Sequence, residues 1–252
     1  DAQAINKIGL GTTFYSDIEG EGFLRTNALN FYYSYRPIET RNLRLQLGAS
    51  GGVVNKNIDY DNLVFSDQLD EVFGEVGTSQ FNNRSFNNVL YPDFGAGAVV
   101  RFNNPNHRTK DYQMVTTVGA SMLHLTSPRD AFLSDEGRLP RKFVFHANTS
   151  IQWNGVVYMP GLIYERQSNL ETFQMGTNIM KYPIYTGFWF RNRNYKLSFQ
   201  EYDSFIFNIG AYGRLNETRI KFTYSFDFTV SRLKTASMGS HEISFIYHIK
   251  DA

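Results

Sequence analysis

Hydrophobic and polar residues alternate with a period of two along most of the chain, most cleanly between Ser204 and Lys250. Within Arg219–Arg232 the even positions are Ile220, Phe222, Tyr224, Phe226, Phe228 and Val230, and Lys221, Thr223, Ser225, Asp227 and Thr229 sit between them. The same rhythm places Phe205, Phe207, Ile209 and Ala211 on one side before it, and Ile243, Phe245, Tyr247 and Ile249 after it. Successive side chains of a strand point to opposite faces, so each segment is a strand with one apolar and one polar surface.

In chain order the pattern predicts strands near Ile5–Tyr15, Phe23–Arg36, Leu43–Val54, Phe94–Phe102, Tyr112–Leu125, Phe143–Trp153, Val156–Arg166, Thr172–Tyr182 and Tyr185–Arg191, followed by the closing trio. Asn154-Gly155 is the dipeptide favoured in a two-residue hairpin turn, where both central residues need positive φ. Pro160 removes a ladder donor inside a strand and predicts a local bulge. Two long polar connections stand out, Asn55–Asp93 and Ser127–Pro140.

Every second connection is tight: Pro37–Asn42, Asn103–Asp111, Asn154-Gly155, the turn at Pro183 and Asn216–Thr218. Short turns at one end alternating with longer loops at the other is the expectation for a transmembrane antiparallel up-and-down β-barrel. A sandwich has no reason to obey that parity. A water-soluble barrel also alternates, but it would have to cover so many bulky outward side chains. In the membrane reading Arg36, Arg101, Arg191, Arg214, Lys221 and Asp227 line the interior, with Gln46, His146 and Asn148. Each such charge would cost about 2–4 kcal/mol if it faced lipid near the midplane. Tyr112, Trp153, Tyr158, Tyr182, Tyr185 and Tyr247 fall towards the tight-turn end, as an interfacial aromatic girdle would.

Composition sharpens this. The 252 residues include 22 Phe, 16 Tyr and 2 Trp, with a net charge of +1. Nothing in that balance points to nucleic acid. No apolar run approaches the roughly 20 residues of a membrane-spanning helix, so any insertion is by strands. Cysteine is absent, which excludes disulfides and thiolate chemistry. The sequence opens at Asp1 without a basic and apolar leader, the expectation for a cytoplasmic chain or an already trimmed one.

Candidate chemistry is thin, and the reading is of no catalytic, cofactor or metal site. His107, His124, His146, His241 and His248 lack metal-ligand spacing. His241 and Glu242 are adjacent in a strand and so face opposite ways. A lipid hydrolase would need Ser240 or Ser244 in contact with His241 or His248. Asp59, Asp61, Asp67 and Asp70 lack the Gly and terminal Glu of an EF-hand loop. The Asn148 and Asn216 sequons match glycosylation only formally.

The C-terminal Gly239–Lys250 (GSHEISFIYHIK) resembles the closing signature of the PorP/SprF family of Bacteroidetes outer-membrane proteins of the type IX secretion system. Further similar segments follow in family order: IGLGTTFYSDIEGEG at Ile8–Gly22, IDYDNLVFSDQLDE at Ile58–Glu71, PDFGAGAVVRF at Pro92–Phe102, VGASMLHLTSP at Val118–Pro128, LPRKFVFHA at Leu139–Ala147, MPGLIYERQ at Met159–Gln167 and TGFWFRN at Thr186–Asn192. The resemblance implies a non-enzymatic, multi-pass outer-membrane barrel that helps secrete or anchor a type IX cargo or gliding adhesin. It also implies contact with other secretion components and a periplasmic, peptidoglycan-linked protein. In it Gly239, Ser240, His241 and Glu242 form a structural motif. The family's signal peptide and Asn-Pro-Ala-Tyr-like region do not occur here, so residues 1–252 are expected to be a single barrel domain of about 12 strands from a full barrel of about 14.

The long connection carries more aromatic surface than solvation needs: Tyr60, Leu63, Phe65, Phe73, Phe81, Phe86 and Tyr91, with Val64, Leu69 and Val72. Such a loop either folds into the lumen or binds a partner at the cell surface. The resemblance favours the partner. The competing reading is a channel with a polar lumen.

Overall fold

The computed structural model describes residues 7–20, 24–59, 63–70, 72–77, 79, 88–104, 112–132, 137–193, 202–215, 218–230 and 239–248. The architecture is all-β. Its strands are β1 (Ile8–Glu19), β2 (Leu24–Glu39), β3 (Leu43–Asn57), β4 (Leu69–Asp70), β5 (Gly74–Glu75), β6 (Asn88–Asn104), β7 (Tyr112–Leu123), β8 (Lys142–Trp153), β9 (Val156–Gln167), β10 (Leu170–Lys181), β11 (Ile184–Asn192), β12 (Tyr202–Leu215), β13 (Thr218–Thr229) and β14 (Ser240–His248). Twelve of them form one antiparallel up-and-down sheet in the order β1-β2-β3-β6-β7-β8-β9-β10-β11-β12-β13-β14, and β4 and β5 pair separately. Among the described residues no helix is long and apolar enough to cross a membrane.

The chain packs as two compact units. One comprises Asp1–Tyr35, Leu47–Gly97 and Met122–Arg141, the other Arg36–Gln46, Ala98–Ser121 and Lys142–Ala252. In the second unit burial is inverted relative to a water-soluble core. Asn192 and Ser204 are fully buried, whereas Ile243 and Phe245 are 69% and 64% exposed. Register explains this: Thr223 opposes Ser244 and Asp227 opposes Ser240 on one face, while Phe222 opposes Phe245 and Tyr224 opposes Ile243 on the other. The alternation thus separates a buried polar face from an exposed apolar one.

Turn chemistry is as the sequence predicts at residues 154–155, where Asn154 (φ 48°) and Gly155 (φ 75°) both adopt left-handed backbone. The alternation of short and long connections has two exceptions, since β1 and β2 are joined through residues 20–23 and β9 and β10 through residues 168–169 alone. Pro160 makes no bulge. The β8–β9 ladder keeps one register on both sides of it, from Asn148↔Gly161 to Ile151↔Tyr158. A proline without an N–H interrupts the bonding without adding a residue. A register shift occurs instead between Arg191 and Asn192 in β11.

One boundary and one facing expectation are corrected. β6 begins at Asn88, so Pro92 and Tyr91 belong to a strand and not to the preceding loop. Leu90 and Phe94 face outward there, and Tyr91 is 5% exposed in a cluster with Ala28 and Val54. Tyr185, expected in the aromatic girdle, is 9% exposed on the polar face. Its register position opposite Gly210 puts it with Tyr212 and not with Ile184. Trp153, Tyr182 and Tyr247 are exposed at the tight-turn end, as a girdle requires.

Candidate functional site

Three places hold organised side chains. The first is the polar face of β11–β13. The shift at Arg191 leaves Asp203 as an extra residue of β12, because Arg191 pairs with Ser204 and Asn192 with Tyr202. Asp203 therefore meets the guanidinium. Arg191 Nε donates to Asp203 Oδ2 at 2.7 Å, and its Nη2 lies 2.8 Å from Asp227 Oδ2. One guanidinium bridging two carboxylates from different strands is a strong, directional crosslink. Further along this face Lys221 Nζ sits 4.0 Å from the Tyr185 ring centroid and 5.4 Å from that of Tyr212, a cation–π arrangement. Trp189 Nε1 donates to Asn178 Oδ1 at 3.0 Å, and Asn208 Nδ2 donates to the same oxygen at 3.3 Å. The indole can lie there because Gly161 and Gly176 present no side chain beneath it; a Cβ at Gly161 would stand 3.1 Å from the Trp189 ring.

The second place is the 124–141 connection of the first unit. It is a folded loop: Asp130 N–H bonds to the Gly137 carbonyl, Leu139 N–H to that of Pro128, and Arg129 bridges Arg138. Lys56 Nζ contacts Asp130 Oδ2 at 2.6 Å, His124 Nδ1 contacts Asp93 Oδ2 at 2.9 Å, and Leu139 packs against the Ala28–Val54–Tyr91 cluster. Ala28, Val54, Lys56, Tyr91 and Asp93 share the polar-face register of their strands. The loop therefore covers that face.

The third place is the β4–β5 hairpin within the long connection. Phe65 N–H donates to Gln68 Oε1 at 2.9 Å, closing a 3-10 turn at Ser66–Gln68, and Gln68 is buried. Ser79 Oγ donates to Asp67 at 2.9 Å. Asp70 Oδ1 accepts the N–H groups of Val72 (2.8 Å) and Phe73 (3.0 Å), so its carboxyl is held below the usual carboxylate value by those two bonds. The hairpin then presents Val72 and Phe73, 81% and 80% exposed, at its tip. Ordered support under two exposed apolar side chains suits recognition better than solvation.

The sequence candidates distribute unevenly over these places. Arg191 and Asp227 meet, and Lys221 shares their face. Arg214 stands opposite Arg219 in the ladder, with its side chain outside the described residues. Arg36 lies 3.6 Å from Glu39, which also pairs with Arg44, while Arg101 is exposed. Of the loop residues, Leu63 and Phe65 are half-buried and Phe73 is exposed; Tyr60, Phe81 and Phe86 lie outside the described residues. Tyr91 is a strand core residue, as given above, and is unavailable to a partner.

In the C-terminal motif Gly239 takes positive φ (79°), and a Cβ there would approach the Asp227 carbonyl at 2.6 Å. Ser240 opposes Asp227, His241 opposes Phe226 and Glu242 opposes Ser225. His241 thus lies on the apolar face, its Nδ1 2.7 Å from the Tyr224 hydroxyl and its ring 4.7 Å from that of Phe226. Ser240 is on the opposite face, so the two do not form a nucleophile–base pair. Among the described residues no cluster could hold a metal ion.

Asp203, Lys56, Asp93 and Asp130 escaped the sequence reading. Their roles depend on a register shift and a folded loop, for which alternation carries no signal.

Over residues 2–247 the chain matches a family model described as type IX secretion system membrane protein PorP/SprF. No curated protein matches it.

Proposed function

The chain belongs to the PorP/SprF family of type IX secretion system membrane proteins, and on that premise we propose that it is a non-enzymatic outer-membrane β-barrel whose cell-surface loops help secrete or anchor a cargo protein such as an adhesin. The exposed apolar face meets lipid, and the strands cross the bilayer as one barrel domain. The tight turns then face the periplasm, where other secretion components and a peptidoglycan-linked protein read them. The long connections face outward.

The observation that carries the reading is the β4–β5 hairpin, which holds Val72 and Phe73 out in solvent on a hydrogen-bonded base. Two such side chains fit an apolar pocket or strand edge of a cargo's terminal region. The test is affinity capture of the full-length protein from detergent-solubilised outer membranes, in the wild type and in a Val72→Ser/Phe73→Ser variant. A large secreted protein recovered with the wild type and lost from the variant supports the reading. A wild type that comes out without cargo defeats it. The channel alternative is separated by planar-bilayer recordings: sustained conductance would support it, and a sealed barrel would sink it.

A further inference from the structure

Three arginines gather where β2, β3 and β6 reach the tight-turn end, all within the second unit. Arg36 and Arg44 share one carboxylate, that of Glu39. Arg101 has none: its guanidinium is exposed, with no hydrogen-bond or ion-pair partner among the described residues. The register sets it against Arg44. Asn103 N–H bonds to the Asn42 carbonyl, so each step into β3 is matched by one step back along β6, and the second step brings Arg44 opposite Arg101. The same register holds further along the ladder, where Gly95 stands against Ser50. Directly opposed side chains leave one face with their Cβ atoms about 5 Å apart, and like charges in that position destabilise a sheet.

The row lies on the polar face. Arg36 follows Ser34 in the alternation of β2, whereas Tyr33 and Tyr35 take the apolar side with Leu10 and Ile8. Leu43, Leu45 and Phe102 likewise alternate with Arg44 and Arg101. Within residues 36–46 and 98–104 the cations are Arg36, Arg41, Arg44 and Arg101, and the one carboxylate is Glu39. Carboxylates from outside would relieve the Arg44–Arg101 repulsion. A lipid headgroup does not reach this face. A peptidoglycan stem peptide carries an ammonium beside its carboxylate, and Glu39, already shared by two arginines, is a poor acceptor for it. An acidic stretch of protein fits better. Neighbouring strands lie about 4.8 Å apart, so the row is about 10 Å wide, and two carboxylates at alternate positions of an extended chain, about 7 Å apart, fall within it.

We propose that this row docks an acidic, extended segment of a periplasmic partner protein, one carboxylate bridging Arg44 and Arg101. The inference rests on the membrane reading, which turns this end to the periplasm, and not on cargo recognition by the hairpin.

The experiment is fluorescence anisotropy of a labelled, end-capped peptide of alternating Glu and Ser, titrated at physiological salt with the full-length protein in nanodiscs of uncharged lipid. Expected is saturable binding that a Gln-and-Ser peptide of the same length lacks. Arg101→Gln, which breaks no side-chain contact, should weaken it about tenfold, and Arg101→Lys should keep most of it. Arg138→Gln, on the 124–141 connection, should leave it unchanged. The proposal is overturned by a wild type that leaves the peptide free, by binding that ignores Arg101→Gln, or by an equal loss in Arg138→Gln. Displacement of the peptide by muropeptides at equal concentration would overturn the protein assignment. Orientation is checked separately. The 252 residues contain no cysteine, so Ile38→Cys gives a unique label site. A membrane-impermeant maleimide should reach it only after the outer membrane is permeabilised; labelling of intact cells would overturn the periplasmic assignment. Cargo capture by Arg101→Gln should stay at the wild-type level, which keeps failure of the row distinct from failure of the hairpin.

Discussion

Lys56 Nζ lies 2.6 Å from Asp130 Oδ2, joining β3 to the middle of the 124–141 loop. Both side chains are less than one-quarter exposed, so the pair is screened less than a surface pair. Lys56→Gln should leave the strands intact and loosen the loop. Trypsin added to intact vesicles should then cut at Arg129, Arg138 or Arg141 several-fold faster than in the wild type. Unchanged cleavage would mean that Leu139 packing alone holds the loop.

Arg191, shared by Asp203 and Asp227, should carry more of the stability of the second unit than any single loop contact. Asp227→Asn keeps the shape and removes one charge, and should cost about 1–3 kcal/mol. Urea titration of the protein folded in lipid vesicles, read as the shift in gel mobility between folded and unfolded forms, gives that difference. Asp227→Leu should cost more, since it leaves the guanidinium half-served.

Trp189 lies over Gly161 and Gly176, and the fit runs both ways. Trp189→Ala should destabilise by about 2–4 kcal/mol, through lost packing and the loss of one of the two donors to Asn178 Oδ1. Gly176→Val should fail earlier, at assembly, because its Cβ would collide with the Phe188 carbonyl and the indole. Membrane fractions of cells expressing each variant separate the two outcomes: Trp189→Ala inserted but heat-labile, Gly176→Val absent.

Asp70 sets a pH limit on the hairpin. Its folded pKa is lowered by the Val72 and Phe73 amides, so its contribution is complete above the unfolded value of about 4 and is lost as pH falls through the folded one. Hydrogen exchange at those two amides, corrected for intrinsic rate, should show constant protection near neutrality and a fall in acid. Asp70→Ala should abolish the protection at every pH. Retained protection in that variant would show that the turn holds without its carboxylate.

The strands and their sidedness were legible because alternation is local: Phe222, Tyr224 and Phe226 announce their shared face without reference to anything distant. The Asn154-Gly155 turn was legible for the same reason. Where the reading missed, the cause was non-local. Pro92 looked like the end of a loop, yet the burial of Tyr91 against Ala28 and Val54 extends β6 past it. Tyr185 looked like an interfacial ring, and only its register against Gly210 shows that it faces Lys221. Asp203 had no pattern to betray it, because a single extra residue in β12 decides what it touches. Among the partner candidates, Phe73 and Tyr91 were indistinguishable in sequence and are opposites in exposure.

The connections at 154–155, 168–169 and 182–183 also set an order of events. Closing a two-residue turn costs far less chain entropy than bringing together the strands on either side of residues 58–87. The β8–β11 meander can therefore zip up by neighbour-to-neighbour pairing, while β3 and β6 must find each other across a long detour. Low-separation contacts form fastest. Pairing within β8–β11 is thus expected to precede the joining of β3 to β6, the step that closes the connection carrying the β4–β5 hairpin.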